Sequence, residues 1–196
     1  MPDGRIRKLV PTEMDPSQKA LYDAIVGGPR SSQAALTRVV DDDGALEGPF
    51  NAFLQSPPLG HALQAVGASL RYGSGLPDRL REVAILVVAA CRDADFERFA
   101  HEPVARSLGL GEAELACIRT GDYEGLEVRE ALVARAVREM VEDGDLADVT
   151  FDELRGAVGT AQLFELTTVV GYYSLLALQL RVFRVATPDQ AEPGHR

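Results

Sequence analysis

Apolar residues recur along this chain mostly three and four positions apart, the spacing of helices that bury one face. Asp15-Pro16 is a helix start, a capping side chain followed by a proline whose missing N–H costs nothing at the first helical position. Leu21, Tyr22, Ile25 and Val26 then share a face until Gly27-Gly28 ends the run. Residues 28–49 are the least regular stretch, with a run of acids and a turn at Asp43-Gly44 that predicts at most a short hairpin. Beyond the segment GPFNAFLQS, Pro57-Pro58 opens a helix whose expected buried face is Leu59, Ala62, Leu63, Val66 and Leu70.

The stretch LPDRLREVAILVVAAC reads as a helix rather than a buried strand, because Pro77 and Asp78 stand just inside its start and its tail is rich in alanine. Its near-continuous apolar content predicts burial on most sides. The polar residues from Arg92 to Asp95 interrupt it, and a second helix runs from Phe96 to Ser107 before Gly109. LGLGEAEL predicts a turn and a new helix with Glu112 and Glu114 near its positive end. Positions 128, 132, 136 and 140 mark an amphipathic helix that Gly144 closes, and Thr150 with Glu153 forms a capping-box pattern for the next. A last helix spans about Ala161 to Arg184. The sum is seven or eight helices, an all-α domain over residues 1–187 with a polar tail, 188–196.

Composition narrows the partners. The chain has 196 residues, 46% hydrophobic and 26% charged, and a net charge of −10. Such a balance is that of a folded globular protein and opposes a phosphate backbone, so no nucleic-acid partner is expected. Two well-separated cysteines, Cys91 and Cys117, do not make a disulfide framework, which leaves a reducing cytoplasm as the default location. The opening MPDGRIRKLVP meets a proline before any apolar stretch forms, which predicts no secretory leader. The most apolar runs, 83–91 and 166–180, are shorter than the roughly 20 residues that cross a bilayer and are expected as buried helices.

Among three histidines, His101 stands out. It follows Glu97 by four positions, so the two side chains share one helical face. Glu82 lies on the adjoining helix among apolar neighbours, where a carboxylate must be paired or kept protonated. A histidine with two carboxyl groups can form a proton relay. The plainer alternative is a solvated Glu–His pair and a Glu82 that ends an exposed first turn with Arg79 and Arg81. No metal site is expected, because no second histidine completes a ligand set. HExxH, a P-loop, a dinucleotide glycine fingerprint and GxSxG are all missing, so no cofactor is expected.

The run LPDRLREVAILVVAACRDADFERFAHEPVARSLGLGEAELACIRTGD resembles the carboxymuconolactone decarboxylase family, within the alkylhydroperoxidase-D-like superfamily. GPFNAFLQSPPLG and FELTTVVGYYSLLALQLRVF resemble family segments in the same order, so the likeness spans about residues 10–187. Its most specific element is RLRE followed by E-x-x-x-H, carried by Arg79, Arg81, Glu82, Glu97 and His101. The redox branch of that superfamily has a CxxC whose two positions fall on Ala94 and Glu97, so the resemblance favours the decarboxylase branch. Phe96-Glu97-Arg98 stands where that branch often has Tyr-Glu-Trp. Phe53 replaces a frequent tryptophan, and Ala100 precedes His101 where a second histidine is common. Substrate contacts are therefore expected to differ from those of the named decarboxylase.

The resemblance implies a compact alkylhydroperoxidase-D-like helical fold, a homotrimer or hexamer, and cofactor-free loss of carbon dioxide from a small carboxylated lactone. It implies His101 as general acid/base, Glu97 as its proton partner and Glu82 as orienting residue. Arg81 would anchor the substrate carboxylate, and Phe50 and Phe53 would wall the pocket. Two other classes compete with this carboxy-lyase: a thiol peroxidase or redox protein using Cys91, and a non-enzymatic oligomeric binding protein. A thiol active in peroxide chemistry needs a lowered pKa and a close resolving partner. Fold alone does not choose among the three.

Overall fold

The computed structural model describes residues 4–28 and 39–187, and the expectations for residues 29–38 of the irregular insert and for the tail 188–196 lie outside the described residues. Eight α-helices occur among the described residues: α1 Pro16–Val26, α2 Pro49–Phe53, α3 Pro57–Tyr72, α4 Asp78–Cys91, α5 Asp95–Ser107, α6 Glu112–Thr120, α7 Val128–Glu142 and α8 Asp148–Phe183. No strand occurs among them. The turn at Asp43-Gly44 closes only an isolated antiparallel bridge, Val40 to Leu46, with Asp41 accepting from the N–H groups of Asp43 and Ala45. The all-α expectation holds.

α1 begins as its sequence indicates. The Asp15 carboxylate accepts from the Ser17 and Gln18 N–H groups, and the Gln18 side chain accepts from the Asp15 N–H at 3.0 Å. α4 is the central element, buried without interruption from Leu80 to Ala89 and packed on α5, α6, α7 and α8. Each buried Val, Leu or Ile there contributes roughly 1.5–3 kcal/mol. The helix ends in a Schellman motif: the Ala94 N–H reaches the Ala89 carbonyl at 2.9 Å and the Asp93 N–H reaches Ala90 at 3.4 Å. Asp93, at φ 48°, takes the left-handed turn that aspartate tolerates better than most residues. That corner folds α5 back against α4.

Three local expectations change. In α3 the buried residues are Gly60, Gln64, Gly67 and Leu70, while Leu59 and Val66 are exposed. The reason is proximity: a Cβ at Gly60 would lie 2.4 Å from Leu21 Cδ2 and 2.7 Å from the Phe53 carbonyl oxygen, so α3 turns small residues toward α1 and α2. In α7 the expected Ala136 is buried and Leu132 and Met140 pack against the core half-buried, but Val128 is exposed and the core face is completed by Ala131, Val133, Ala134, Val137 and Val141. Residues repeating strictly every four positions from 128 to 140 drift by about 120° around a helix, so they cannot all meet one neighbour. Finally, α8 starts at Asp148, with Ala147 in the capping position, which leaves Thr150 inside the helix.

α8 reads as two helices merged across a break at Gly159, whose φ of 79° and ψ of 164° are non-helical. By length and composition this helix could cross a membrane, although half of its most apolar stretch is buried in the protein. One apolar core draws residues from all eight helices.

Candidate active site

The α4–α5 hairpin brings Glu82 and His101 together across 19 positions of sequence. His101 Nδ1 lies 2.7 Å from Glu82 Oε2, and His101 Nε2 lies 3.5 Å from Glu97 Oε2. All three side chains are buried, Glu82 fully so. Burial works to raise the Glu82 pKa, but the charge and hydrogen bond of His101, with Arg71 and Arg81 nearby, hold it below the ordinary carboxylate value. An ionised Glu82 accepts the Nδ1–H of His101, which leaves Nε2 toward Glu97.

Glu97 moves the other way. Burial, seconded by the negative charge of Glu82, raises its pKa against the opposing pull of His101 and Arg71. Two carboxyl groups on one imidazole are thus driven apart, one toward the anion and one toward the acid. The arrangement can hold a proton at Glu97 and pass it through His101.

The three groups adjoin a small cavity of about 50 Å³ lined by Arg71, Glu97 and His101 with Val39, Pro49, Phe50, Phe96, Ala100, Tyr172, Tyr173 and Leu176. The Tyr173 ring meets the His101 ring edge-on at 5.2 Å and 87°, and Tyr172 stands edge-on to Tyr173 at 5.4 Å. These rings limit how far the imidazole can turn. Burial, followed by the charges of Glu97 and Glu82, pushes the Tyr173 phenol well above its ordinary pKa. Phe96 lies flush on Gly48, where an added Cβ would come within 2.0 Å of its ring and where φ is +56°. A glycine at 48 is therefore part of how this wall is built.

The other sequence candidates divide. Phe50 lines the cavity, while Phe53 is buried behind it, the two rings meeting edge-on at 5.9 Å. Arg81 is not a lining residue. It lies beyond Glu82, paired with Asp78 at 2.9 Å and 3.8 Å from Glu82 Oε1. Sequence reasoning passed over Arg71, Phe96, Tyr172 and Tyr173. The last two sit in an apolar run with no polar spacing to mark them, and Arg71 sits at the end of a helix whose large apolar residues point to a different face from the one that packs inward. Arg71 was still the one cation of α3, which is a signal of sorts.

Among the described residues no group of three or more His, Cys, Asp or Glu side chains could hold a metal ion. Cys91 and Cys117 are free thiols, both half-buried. Burial raises the Cys91 pKa, and this residue lines a different, open concavity of about 560 Å³ with Gly171, Ser174 and Leu178. Nine positions separate it from Glu82, or about 13 Å along the helix axis.

The helical fold that frames this array is shared by solved structures. A peroxidase-related protein from Ralstonia eutropha JMP134 with an alkylhydroperoxidase AhpD core superposes with a TM-score of 0.74 at 13% identity, over 97% of this chain and 95% of that one. A peroxidase-related protein from Silicibacter sp. TM1040 gives 0.65 at 15% identity, over 86% and 90%. A cysteine-to-alanine form of the debrominase Bmp8, in complex with 2,3,4-tribromopyrrole, gives 0.70 at 12% identity, over 94% and 93%. At such identities the likeness is one of fold. Residues 57–141, less than half of the chain, match the carboxymuconolactone decarboxylase family, in agreement with the resemblance seen in the sequence. That segment contains Arg71, Glu82, Glu97 and His101, whereas Phe50, Tyr172 and Tyr173 come from outside it. Comparison with curated proteins finds no match.

Proposed function

We propose that this protein is a proton-transfer enzyme of the decarboxylase kind, acting on a small carboxylated lactone or a related unsaturated acid. The observation that carries the reading is the continuous Glu82–His101–Glu97 array at an apolar-walled cavity, with the two carboxyl groups biased to opposite protonation states. In the reaction the bond from ring carbon to carboxylate breaks, carbon dioxide leaves, and the electron pair is delocalised into the unsaturated lactone as an enolate. Glu97 passes its proton to His101 Nε2, and the imidazolium so formed delivers that proton to the carbanion as the new C–H bond. One proton from solvent then restores Glu97, so the net change is uptake of one proton and release of one carbon dioxide.

Glu82 acts on His101 rather than on the substrate: it fixes the tautomer and stabilises the imidazolium when it forms. Tyr173 keeps the ring in plane with that hydrogen bond. The low polarity of the walls strengthens every charge interaction at the reacting carbon. A thiol mechanism finds less support, since Cys91 faces another concavity with its thiol favoured over the thiolate, and the two positions of the redox pair hold Ala94 and Glu97. The test is a panel of carboxylated lactones and unsaturated acids, followed by ultraviolet absorbance and by carbon dioxide release, with His101→Ala as blank. Turnover of no panel member, or turnover that survives His101→Ala, refutes the reading.

A further inference from the structure

Arg71 stands in the last turn of α3 and reaches the cavity beside Glu97 and His101. Its Nη2 is shielded from water and has no hydrogen-bond partner among the described residues. Leaving a guanidinium N–H dry and unpaired is costly, so such a group is a place to look for a missing acceptor. The other arginines near the site differ in place: Arg79 is held by Glu114 and Glu130, and Arg81, whose Nε is likewise dry and unpartnered, pairs with Asp78 and lies 3.8 Å from Glu82 Oε1, off the cavity lining.

Charge points the same way. Glu82 is taken up by His101, and although the Arg71 charge acts through space on Glu82 and Glu97, its Nη2 donates to neither. The cavity thus holds a guanidinium with an unfilled donor, inside a protein whose net charge is −10. The walls around it are mainly aromatic and aliphatic, which makes a guanidinium–carboxylate pair stronger than at the surface.

We propose that Arg71 is the anion-recognition residue of this cavity: the ligand enters as a carboxylate, its acid group seated on the Arg71 guanidinium and its ring turned toward His101. This rests on the reading of the cavity as a substrate site. It does not require that the ligand react. A planar fork with parallel donors suits a carboxylate better than any other side chain would. Selection of the acid form over a neutral analogue of the same shape follows directly, as does a loss of apparent affinity when Arg71 is replaced while the bound complex still turns over.

The experiment titrates furan-2-carboxylate and its uncharged amide, furan-2-carboxamide, into the full chain at neutral pH. Calorimetry gives affinity, and the NMR signals of the His101 ring report whether the ligand sits in the cavity. The carboxylate is expected to bind at least about tenfold more tightly than the amide and to move the His101 signals. Arg71→Gln should bring the two probes within about twofold of each other, and Arg71→Lys should keep part of the preference. Equal affinities in the unaltered protein overturn the proposal, as do an undiminished preference in Arg71→Gln, undetectable carboxylate binding or unmoved His101 signals. Should Arg71→Gln fail to fold, a full-sized preference in Arg71→Lys counts against it in the same way. His101→Ala separates the two ideas. Lost turnover with the carboxylate preference intact supports both, whereas a preference in a protein that turns over no substrate leaves Arg71 standing and removes the decarboxylase.

Discussion

Helix α4 carries two ionic clusters one turn apart, and they are finished to different degrees. On one side Arg79 is clasped by Glu114 of α6 and Glu130 of α7, so its donors meet two carboxylates and the three helices are tied together. Three residues on, Glu82 faces α5, where Glu82 Oε1, Glu97 Oε1 and Arg71 Nη2 are all dry and without a hydrogen-bond partner among the described residues. The first cluster is closed and takes no part in lining the cavity at His101. The second is open and borders one. A satisfied ion cluster holds helices, whereas an unsatisfied one beside a cavity holds unspent capacity for a ligand.

The comparison can be broken most sharply by His101→Ala, which should cut turnover at least about 10³-fold while circular dichroism stays helical. Retention of more than a tenth of the rate would mean that the open cluster is as structural as the closed one. Next comes Arg79→Met. Two carboxylates lose their cation, and because Arg79 is only partly buried the cost should be about 2 kcal/mol, or roughly 4–8 °C in Tm. The rate at saturating substrate should hold within about twofold. A collapse of activity at unchanged Tm would reverse the roles assigned to the two clusters.

A smaller effect should appear in Glu97→Gln, and only above a certain pH. Folding raises the Glu97 pKa, so the folded protein holds this proton more tightly than the unfolded chain. Ionising Glu97 therefore costs stability as pH climbs from the ordinary carboxylate value through the raised one. Glutamine removes that cost. The variant should melt higher than the parent at pH 8 and equally at pH 4, below the interval. Glu82 has the opposite sign: its contribution is complete above the ordinary carboxylate pKa and fades as pH falls through the lowered value, so acid melting of the parent should be partly lost in Glu82→Gln. The smallest expected change is in Cys91→Ser, less than about twofold in rate, since the hydroxyl replaces a half-buried thiol away from the cavity. Loss of a peroxide-consuming activity in that variant would bring the thiol reading back.

Much of this was legible along the chain. Asp15-Pro16, the apolar run of α4 and the polar break after Cys91 are local signals, set by capping, propensity and turn chemistry within a few residues. Glu97 and His101 share a face for the same reason. The failures are also instructive. Leu59 and Val66 look like core residues yet face outward, because α3 approaches α1 and α2 so closely that glycine must take the contact. Misjudging that rotation hid Arg71, which shares the helix. In α7 a strict four-residue repeat winds round the helix, so it reaches the core at Ala136 and leaves it at Val128.

Sequence by itself determined the helices, most of their ends, the buried character of α4 and the one-turn spacing of Glu97 and His101, since all of these arise from interactions within a few residues. A lone carboxylate in the apolar run of α4 added Glu82 to that pair, and the family resemblance agreed. Only the tertiary structure decided that Glu82 meets Nδ1, that Arg81 lies behind it, and that Arg71, Tyr172 and Tyr173 complete the cavity. Those contacts depend on how each helix is rotated about its axis and where it crosses its neighbours, and that is settled by side-chain packing between elements far apart in the chain. The opposite shifts of Glu82 and Glu97 follow from the same packing, because a carboxyl group takes its pKa from the charges and the dryness around it.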